Sequence, residues 1–113
     1  MVIKAERKKL SAREVQSILK KLKHKLSDEK IPAQAFWIFG SYAKKTHGLD
    51  SDIDVAIIVP SVLTQSLKKK IRSVSLLAKQ IHVKLEPHVL SDRDFKNRWL
   101  SLPAEIKKSG KPF

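Results

Sequence analysis

The sequence predicts a single α/β domain in which helices pack on a small mixed, α+β-like sheet. A chain of 113 residues suits one domain, because domains cluster around ~100–150 residues. Amphipathic segments alternate with short β-branched and aromatic runs in the order α-β-β-α-β-α-α, which favours helices layered on a sheet. No internal repeat interrupts this order. We expect residues 1–113 to form one domain, with residues 1–10 as a flexible basic N-terminus.

The first half of the chain predicts one helix and two strands. Ser11 and Glu14 have capping-box spacing, and apolar residues then recur at helical intervals up to Leu26, before Pro32 ends the helix. The run 35–39 is too short for a helix and predicts a buried strand. The run 53–59 predicts a second strand, which Pro60 ends. The short connection between these strands allows an antiparallel pair.

The second half predicts one long helix, a strand and two short helices. A helical apolar stripe runs from residue 63 to residue 81. Residues 82–90 then alternate, with Val83 and Leu85 on the apolar side and Glu86 and His88 on the polar side, which predicts a strand. Pro87 favours an edge position for it. Short helices are predicted over 91–97 and 103–109.

Composition limits the classes of partner. Twenty-four Lys and Arg against eleven Asp and Glu give a net charge of +13, which attracts nucleic acid, nucleotides, acidic proteins or anionic lipid without selecting among them. The other explanation of this positive charge is that it only keeps the protein soluble. The absence of cysteine excludes disulfides and cysteine-ligated metals. The apolar runs are far shorter than the roughly 20 residues of a membrane span, and the first residues lack the apolar core of a signal peptide, so we expect a cytoplasmic protein.

Three of the few acids are concentrated within five positions: Asp50, Asp52 and Asp54. Asp52 and Asp54 stand two apart at the head of the second strand, so both side chains are expected on one face of the sheet. Like charges this close favour either a retained proton or a bound cation. Carboxylate oxygens suit Mg²⁺, and we expect that ion here.

A glycine and a serine follow the first predicted strand directly. Gly40 lets the backbone approach a phosphate, Ser41 adds a hydroxyl donor, and a short helix starting there would aim free N–H groups at an anion. Lys44 and Lys45 could extend this cradle. A phosphate cradle beside a metal-binding Asp-x-Asp predicts a nucleoside triphosphate with its magnesium, as phosphoryl or nucleotidyl transfer requires.

The segment 40–54, GSYAKKTHGLDSDID, resembles the signature of the minimal nucleotidyltransferases, small members of the DNA polymerase β-like superfamily. In that family a Gly-Ser turn is followed by Ser-Asp-x-Asp. The segments 85–95 and 105–110 are also similar, so the resemblance covers most of residues 12–113. Members often carry Arg-Gly where this chain has Lys44 and Lys45, which puts triphosphate affinity in question.

The resemblance implies a two-metal site in which Asp52 and Asp54 hold two magnesium ions and Glu86 supplies the third carboxylate. Gly40 and Ser41 would bind the phosphates of ATP, and an acceptor hydroxyl would attack the α-phosphate and release pyrophosphate. The implied reaction is transfer of AMP from ATP to a hydroxyl, and the implied acceptor is a tyrosine of a helical HEPN-type toxin. In that role the chain would be an antitoxin.

Other interpretations remain open at this point. The chain could be a binding module of the same fold that silences its partner by contact alone, which Lys45 favours. Nucleic-acid binding is possible but not favoured, because no such module is recognisable and aromatic residues are not interleaved with the lysines. The oligomeric state, homodimer or hetero-oligomer, is also open. The histidines lack zinc-ligand spacing and are interpreted as surface residues: His24, His47, His82 and His88.

Overall fold

The computed structural model describes residues 9–113. Residues 1–8 of the expected basic N-terminus lie outside the described residues. The elements are α1 (Ala12–Asp28), β1 (Ala35–Phe39), α2 (Gly40–Lys44), β2 (Ile53–Val59), α3 (Gln65–Arg72), α4 (Val74–Ile81), β3 (Leu85–Ser91), α5 (Asp92–Lys96), α6 (Ser101–Ser109) and β4 (Lys111–Pro112). Within the described range, none of these helices has the length and apolarity to cross a membrane.

The four strands form one mixed sheet in the order β3-β2-β1-β4. β1 and β2 pair antiparallel, as their short connection predicts, and Phe39 lies opposite Asp54. β3 pairs with the other side of β2 in parallel, with Glu86 beside Asp54. The chain reaches this parallel position through α3 and α4, since a parallel pair needs a crossover. The predicted fold of helices on a small mixed sheet is confirmed.

The core lies on both faces of β2. On one face, Ile53, Val55 and Ile57 pack with the apolar stripe of α1, whose Leu22 and Leu26 are almost fully buried. On the other face, a smaller cluster forms around Phe39, Ala56, Ile58 and Ile106. The predicted capping box of α1 is present, with the Ser11 hydroxyl accepting from the Glu14 N–H at 3.1 Å. Apolar side chains therefore cover both faces of β2.

Three features differ from the sequence prediction. The helix predicted across 63–81 is two helices that meet at Ser73, whose hydroxyl donates to the Lys70 carbonyl at 2.6 Å. The third strand begins at Leu85 rather than at residue 82, because the Leu85 N–H closes a turn to the His82 carbonyl at 3.1 Å. Val83 therefore lies outside the strand and is 74% exposed, so its predicted apolar-side position is wrong.

The last strand, β4, was not predicted from the sequence. Its two residues pair with Trp37 and Ile38, and the Phe113 N–H donates to the Phe36 carbonyl at 3.0 Å. The rings of Phe36 and Phe113 pack 5.5 Å apart. Backbone pairing and one aromatic contact therefore hold the C-terminal residues on β1.

Candidate active site

The site is centred on Asp54, which lies second in the central strand. The sheet register places Phe39 of β1 opposite Asp54 and Glu86 of β3 beside it on the other side. Gly40 follows Phe39 directly, so the glycine turn reaches Asp54 across the β1–β2 pair. The Gly-Ser turn and the Asp-x-Asp segment, which ten residues separate in the sequence, thus meet through strand pairing.

The backbone of Gly40 lies against the Asp54 carboxylate. Its φ is +73°, a left-handed conformation that side chains rarely adopt. A Cβ built on Gly40 would also overlap Oδ2 of Asp54. Backbone conformation and available space therefore both require glycine at this position. The short helix α2 starts here, and no side chain caps its first N–H groups, so these donors are available to an anion.

The Asp54 carboxylate has an unusual electrostatic environment. Desolvation by burial raises its pKa above the ordinary 3.8, and the nearby charges of Asp52 and Glu86 raise the pKa further. His88 opposes both effects, with Nε2 at 3.3 Å from Oδ1. Burial and two neighbouring carboxylates therefore make ionisation of Asp54 costly, and a hard divalent cation bound among these oxygens would offset that cost.

His88 was interpreted from the sequence as a surface histidine, and that interpretation is wrong. Its side chain is 34% exposed, and its ring packs against Phe39 at 5.1 Å with an interplanar angle of 60°. The sequence did carry a signal: Glu86 and His88 stand two apart in one strand and therefore share a face. That face is the one that Asp54 occupies, which only the register of β2 and β3 reveals.

Glu86, the predicted third carboxylate, lies beside Asp54 in register but is paired with a lysine. Lys79 Nζ lies 3.3 Å from Glu86 Oε1 and also donates to the Val83 carbonyl at 2.8 Å. Both side chains are close to half exposed, at 42% and 46%. No sequence pattern indicated Lys79, because it belongs to α4 and meets Glu86 only after the turn at residues 82–84.

Asp52 precedes β2 and is exposed. It therefore lies just before the paired part of β2, where its charge still raises the pKa of Asp54. As the side chains stand, residues 9–113 contain no group of three or more His, Asp and Glu arranged to hold a metal ion. The carboxylates nonetheless fit magnesium by donor chemistry and by their mutual effect on Asp54. Lys79 pairs with Oε1 of Glu86, so ligation of a metal through that oxygen would replace the ion pair.

Lys44 and Lys45 lie at the opposite end of α2 from Gly40 and are exposed. Lys45 has φ +61° and caps the helix, while the Thr46 N–H donates to the Ser41 carbonyl at 2.9 Å. This left-handed cap is the conformation that glycine prefers. The expected glycine at position 45 is thus replaced by lysine at a conformational cost, while the turn keeps its shape.

A groove of about 980 Å³ lies next to this turn, between α1, α2 and the C-terminus. Tyr42, Lys45 and His47 border it, and none of the three carboxylates does. The rings of Tyr42 and His47 stack 4.0 Å apart at 12°. Tyr42 therefore packs under the turn and borders the groove at the same time.

The chain is also similar to known proteins. A family model described as a nucleotidyltransferase domain matches residues 15–107. No curated protein matches the chain.

Solved structures also resemble the chain. A toxin–antitoxin crystal structure with AMP-PNP is 22% identical at a TM-score of 0.54, covering 86% of this chain and 70% of that chain. A tri-AMPylated Shewanella oneidensis HEPN toxin in complex with an MNT antitoxin is 21% identical at a TM-score of 0.51, covering 86% and 69%. The toxin–antitoxin structure MntA–HepT is 18% identical, with the same TM-score and coverage. At these identities the likeness shows a shared fold.

Proposed function

Because the chain belongs to the nucleotidyltransferase domain family, we propose that it transfers AMP from ATP to a hydroxyl acceptor with the help of magnesium. The family match makes it a transferase of the nucleotidyl class. The choice of nucleotide, metal and acceptor is our proposal. The observation that carries it is the contact between the Gly40 turn and the Asp54 carboxylate, which brings a phosphate-binding element to a metal-binding one.

Each part of the site has a role in this reaction. The free N–H groups at Gly40 and Ser41 would bind the β- and γ-phosphates, because a helix start carries unpaired donors and partial positive charge. Asp52, Asp54 and Glu86 would hold two magnesium ions. Magnesium bound there would offset phosphate charge and favour deprotonation of the acceptor. Lys44 and Lys45 would attract the triphosphate as exposed charges.

Catalysis would then depend on positioning and charge. The acceptor oxygen would form a bond to the α-phosphorus as the bond to pyrophosphate breaks, and a site carboxylate would accept the acceptor's proton. Asp54 suits the centre of this site, because it is fixed by a buried strand and surrounded by two further carboxylates. Since ATP and magnesium are both abundant in the cytoplasm, we place the reaction there.

The proposed acceptor is a tyrosine of a HEPN-type toxin. The similar solved structures are named as toxin–antitoxin complexes, one with an AMPylated HEPN toxin. The chain's charge of +13 would favour a partner with an acidic surface. In this proposal the partner protein would carry the acceptor hydroxyl. Such a complex would be hetero-oligomeric.

The direct test is incubation of the purified protein with Mg²⁺, α-labelled ATP and a HEPN-type protein encoded beside it. Label should appear on the HEPN protein, and Asp52→Asn and Asp54→Asn should abolish it. Asp28→Asn is the matched control, because Asp28 is an exposed carboxylate on α1. γ-Labelled ATP should give no label, since the γ-phosphate leaves with pyrophosphate. Label from γ-labelled ATP would identify a kinase reaction and contradict the proposal.

A second candidate function is neutralisation of the partner by contact alone. The Lys79–Glu86 pair and the lysine at position 45 favour it, because each departs from what a magnesium-triphosphate site needs. Under this alternative the Asp54→Asn variant would neutralise a HEPN toxin as well as the unchanged protein does. Under the enzymatic proposal the variant would bind the toxin without silencing it.

A further inference from the structure

The two oxygens of the Asp54 carboxylate face different neighbours. Oδ1 lies 3.3 Å from Nε2 of His88, while Oδ2 faces the Cα of Gly40 so closely that a side chain would not fit between them. A carboxylate attached to a strand can rotate about its terminal torsion, whose energy profile is broad. A partner on one oxygen therefore decides where the other oxygen points.

The His88 ring is itself fixed in place. It belongs to β3, which pairs with β2 along seven residues, so its backbone position relative to Asp54 is set by the sheet. Its ring packs edge-on against Phe39, which is 4% exposed and lies directly opposite Asp54 in β1. The position of His88 is thus set by its own strand, β3, and by Phe39 of β1. From this position it can fix the orientation of the Asp54 carboxylate.

We propose that His88 is a positioning residue that binds Oδ1 of Asp54 and thereby aims Oδ2 at the Gly40 turn. This inference rests on the proposed function, because the turn is where the triphosphate and its magnesium would lie. Metal-binding side chains commonly depend on such an outer partner for their orientation. His88 does not touch the reacting atoms, so its contribution is to the geometry of Asp54.

A second histidine–carboxylate pair, between His24 and Asp28, lies on the exposed surface of α1 and serves as a comparison for the pair of His88 and Asp54. His24 Nε2 lies 3.4 Å from Asp28 Oδ2, almost the same distance, but the side chains are 78% and 62% exposed and lie one turn apart on α1. His88 and Asp54 are 34% and 29% exposed, and they belong to neighbouring strands. The chain therefore contains its own control for the proposed role.

The test compares His88→Ala, His88→Gln and His24→Ala. One readout is binding of Mn²⁺ in the presence of AMP-PNP, followed by electron paramagnetic resonance. The other readout is kcat and KM for AMP transfer. Loss of an outer partner typically costs about 10–100-fold in metal affinity or activity. We expect His88→Ala to weaken Mn²⁺ binding by about tenfold or more and to lower kcat, with little change in the KM for the acceptor.

Rescue distinguishes positioning from general stability. The glutamine amide can reach Oδ1 much as Nε2 does, so His88→Gln should recover most of the Mn²⁺ affinity, and His24→Ala should equal the unchanged protein. If His88→Ala does not fold, His88→Asn replaces it, because its shorter amide cannot reach Oδ1. Unchanged Mn²⁺ binding in the non-reaching variant, or failure of His88→Gln to restore it, would overturn the inference. If the unchanged protein transfers no AMP while the Mn²⁺ pattern holds, the proposed function fails and the positioning role stands.

Discussion

At the scale of single residues, Gly40 and Asp54 constrain each other. The glycine has a left-handed backbone, and its missing side chain leaves room for Oδ2 of the aspartate. Gly48, in the loop that follows, has no atom within 4 Å of a built Cβ. One glycine is thus required by the site, and the other is not.

This difference predicts opposite outcomes for two alanine substitutions. Gly40→Ala should lower the free energy of unfolding by about 2–4 kcal/mol, because it adds left-handed strain to an overlap with Asp54. Gly48→Ala should change the free energy by less than about 0.5 kcal/mol. Urea denaturation monitored by circular dichroism measures both. Equal effects of the two substitutions would contradict the close approach at Gly40.

The raised pKa of Asp54 predicts a substitution that stabilises the metal-free protein. Burial and neighbouring carboxylates raise its pKa above 3.8 in the folded state, so ionising it costs stability once the pH exceeds that raised value. Below about pH 3 the carboxyl is protonated whether folded or unfolded, and the cost vanishes. Asp54→Asn should therefore melt at a higher temperature than the unchanged protein at pH 7 in EDTA, and the difference should shrink as the pH falls through the raised pKa towards 3.8.

Thermal melts of the Asp54→Asn variant across this pH range test the sign. Asp28→Asn is the control, because its exposed carboxylate lies on the surface of α1. A variant with a lower melting temperature than the unchanged protein at pH 7 would contradict the prediction. It would show that the contact with His88 stabilises the Asp54 carboxylate by more than burial destabilises it.

The sequence indicates the candidate acids of the site but not the side chains that they meet in the structure. Asp52, Asp54, Glu86, Gly40 and Ser41 all follow from motif spacing or from resemblance to a family. His88 and Lys79 were missed because each meets its carboxylate through strand register or a turn, neither of which leaves a local pattern. Asp52 was expected at the head of the second strand, and it lies directly before Ile53, where β2 begins.

At the scale of elements, two helices are each followed by a lysine in the left-handed backbone conformation, which is unfavourable for any residue but glycine. Lys30, after α1, and Lys45, after α2, both have left-handed φ, at 57° and 61°. Ile31 N–H donates back to the Leu26 carbonyl at 2.9 Å, as Thr46 N–H does to Ser41. Both ends therefore keep the hydrogen-bond pattern of a glycine cap without glycine.

Replacing either lysine by glycine should stabilise the protein. A left-handed L-residue costs about 1–2 kcal/mol, and the extra freedom of glycine in the unfolded chain offsets part of this, leaving a gain of about 0.5–1 kcal/mol. We expect both Lys30→Gly and Lys45→Gly to raise the urea midpoint. If only Lys30→Gly does so, the Lys45 side chain makes a stabilising contact that compensates for its strained backbone.

The elements themselves were predictable where they bury a periodic face. α1 has both a capping box and an apolar stripe that fills the core. The division between α3 and α4 was not predictable, because the apolar period continues through Ser73 and α3 buries no residue fully. β4 has only two residues, and its pairing depends on backbone groups that sequence does not distinguish.

At the scale of the whole molecule, the charge of +13 should oppose compaction. Lysines on α1 and α3 repel one another over distances that salt screens, since the Debye length falls to about 10 Å at 0.1 M salt. The melting temperature should therefore rise as sodium chloride increases from low to physiological concentration. Differential scanning fluorimetry measures this directly.

Lys69→Glu tests the cause, because Lys69 is an exposed residue of α3 and does not belong to the candidate site. The substitution lowers the net charge by two and should weaken the dependence of melting temperature on salt. An equal slope in both proteins would mean that salt acts on specific contacts rather than on the overall field. The positive charge of the molecule could be predicted from composition. The parallel pairing of β2 with β3 could not, because it depends on the path of the chain through α3 and α4.

The two outer strands of the sheet determine how copies of this protein behave at high concentration. An unprotected outer strand offers a row of backbone donors and acceptors onto which another chain can polymerise. In the described sheet, one border is β4, only two residues long, and the other is β3, interrupted at its third position by Pro87. Proline supplies no donor and its ring obstructs an incoming strand. Neither border is suited to amyloid-like growth. This protection is important for a chain that has no cysteine and therefore no disulfide to stabilise its fold.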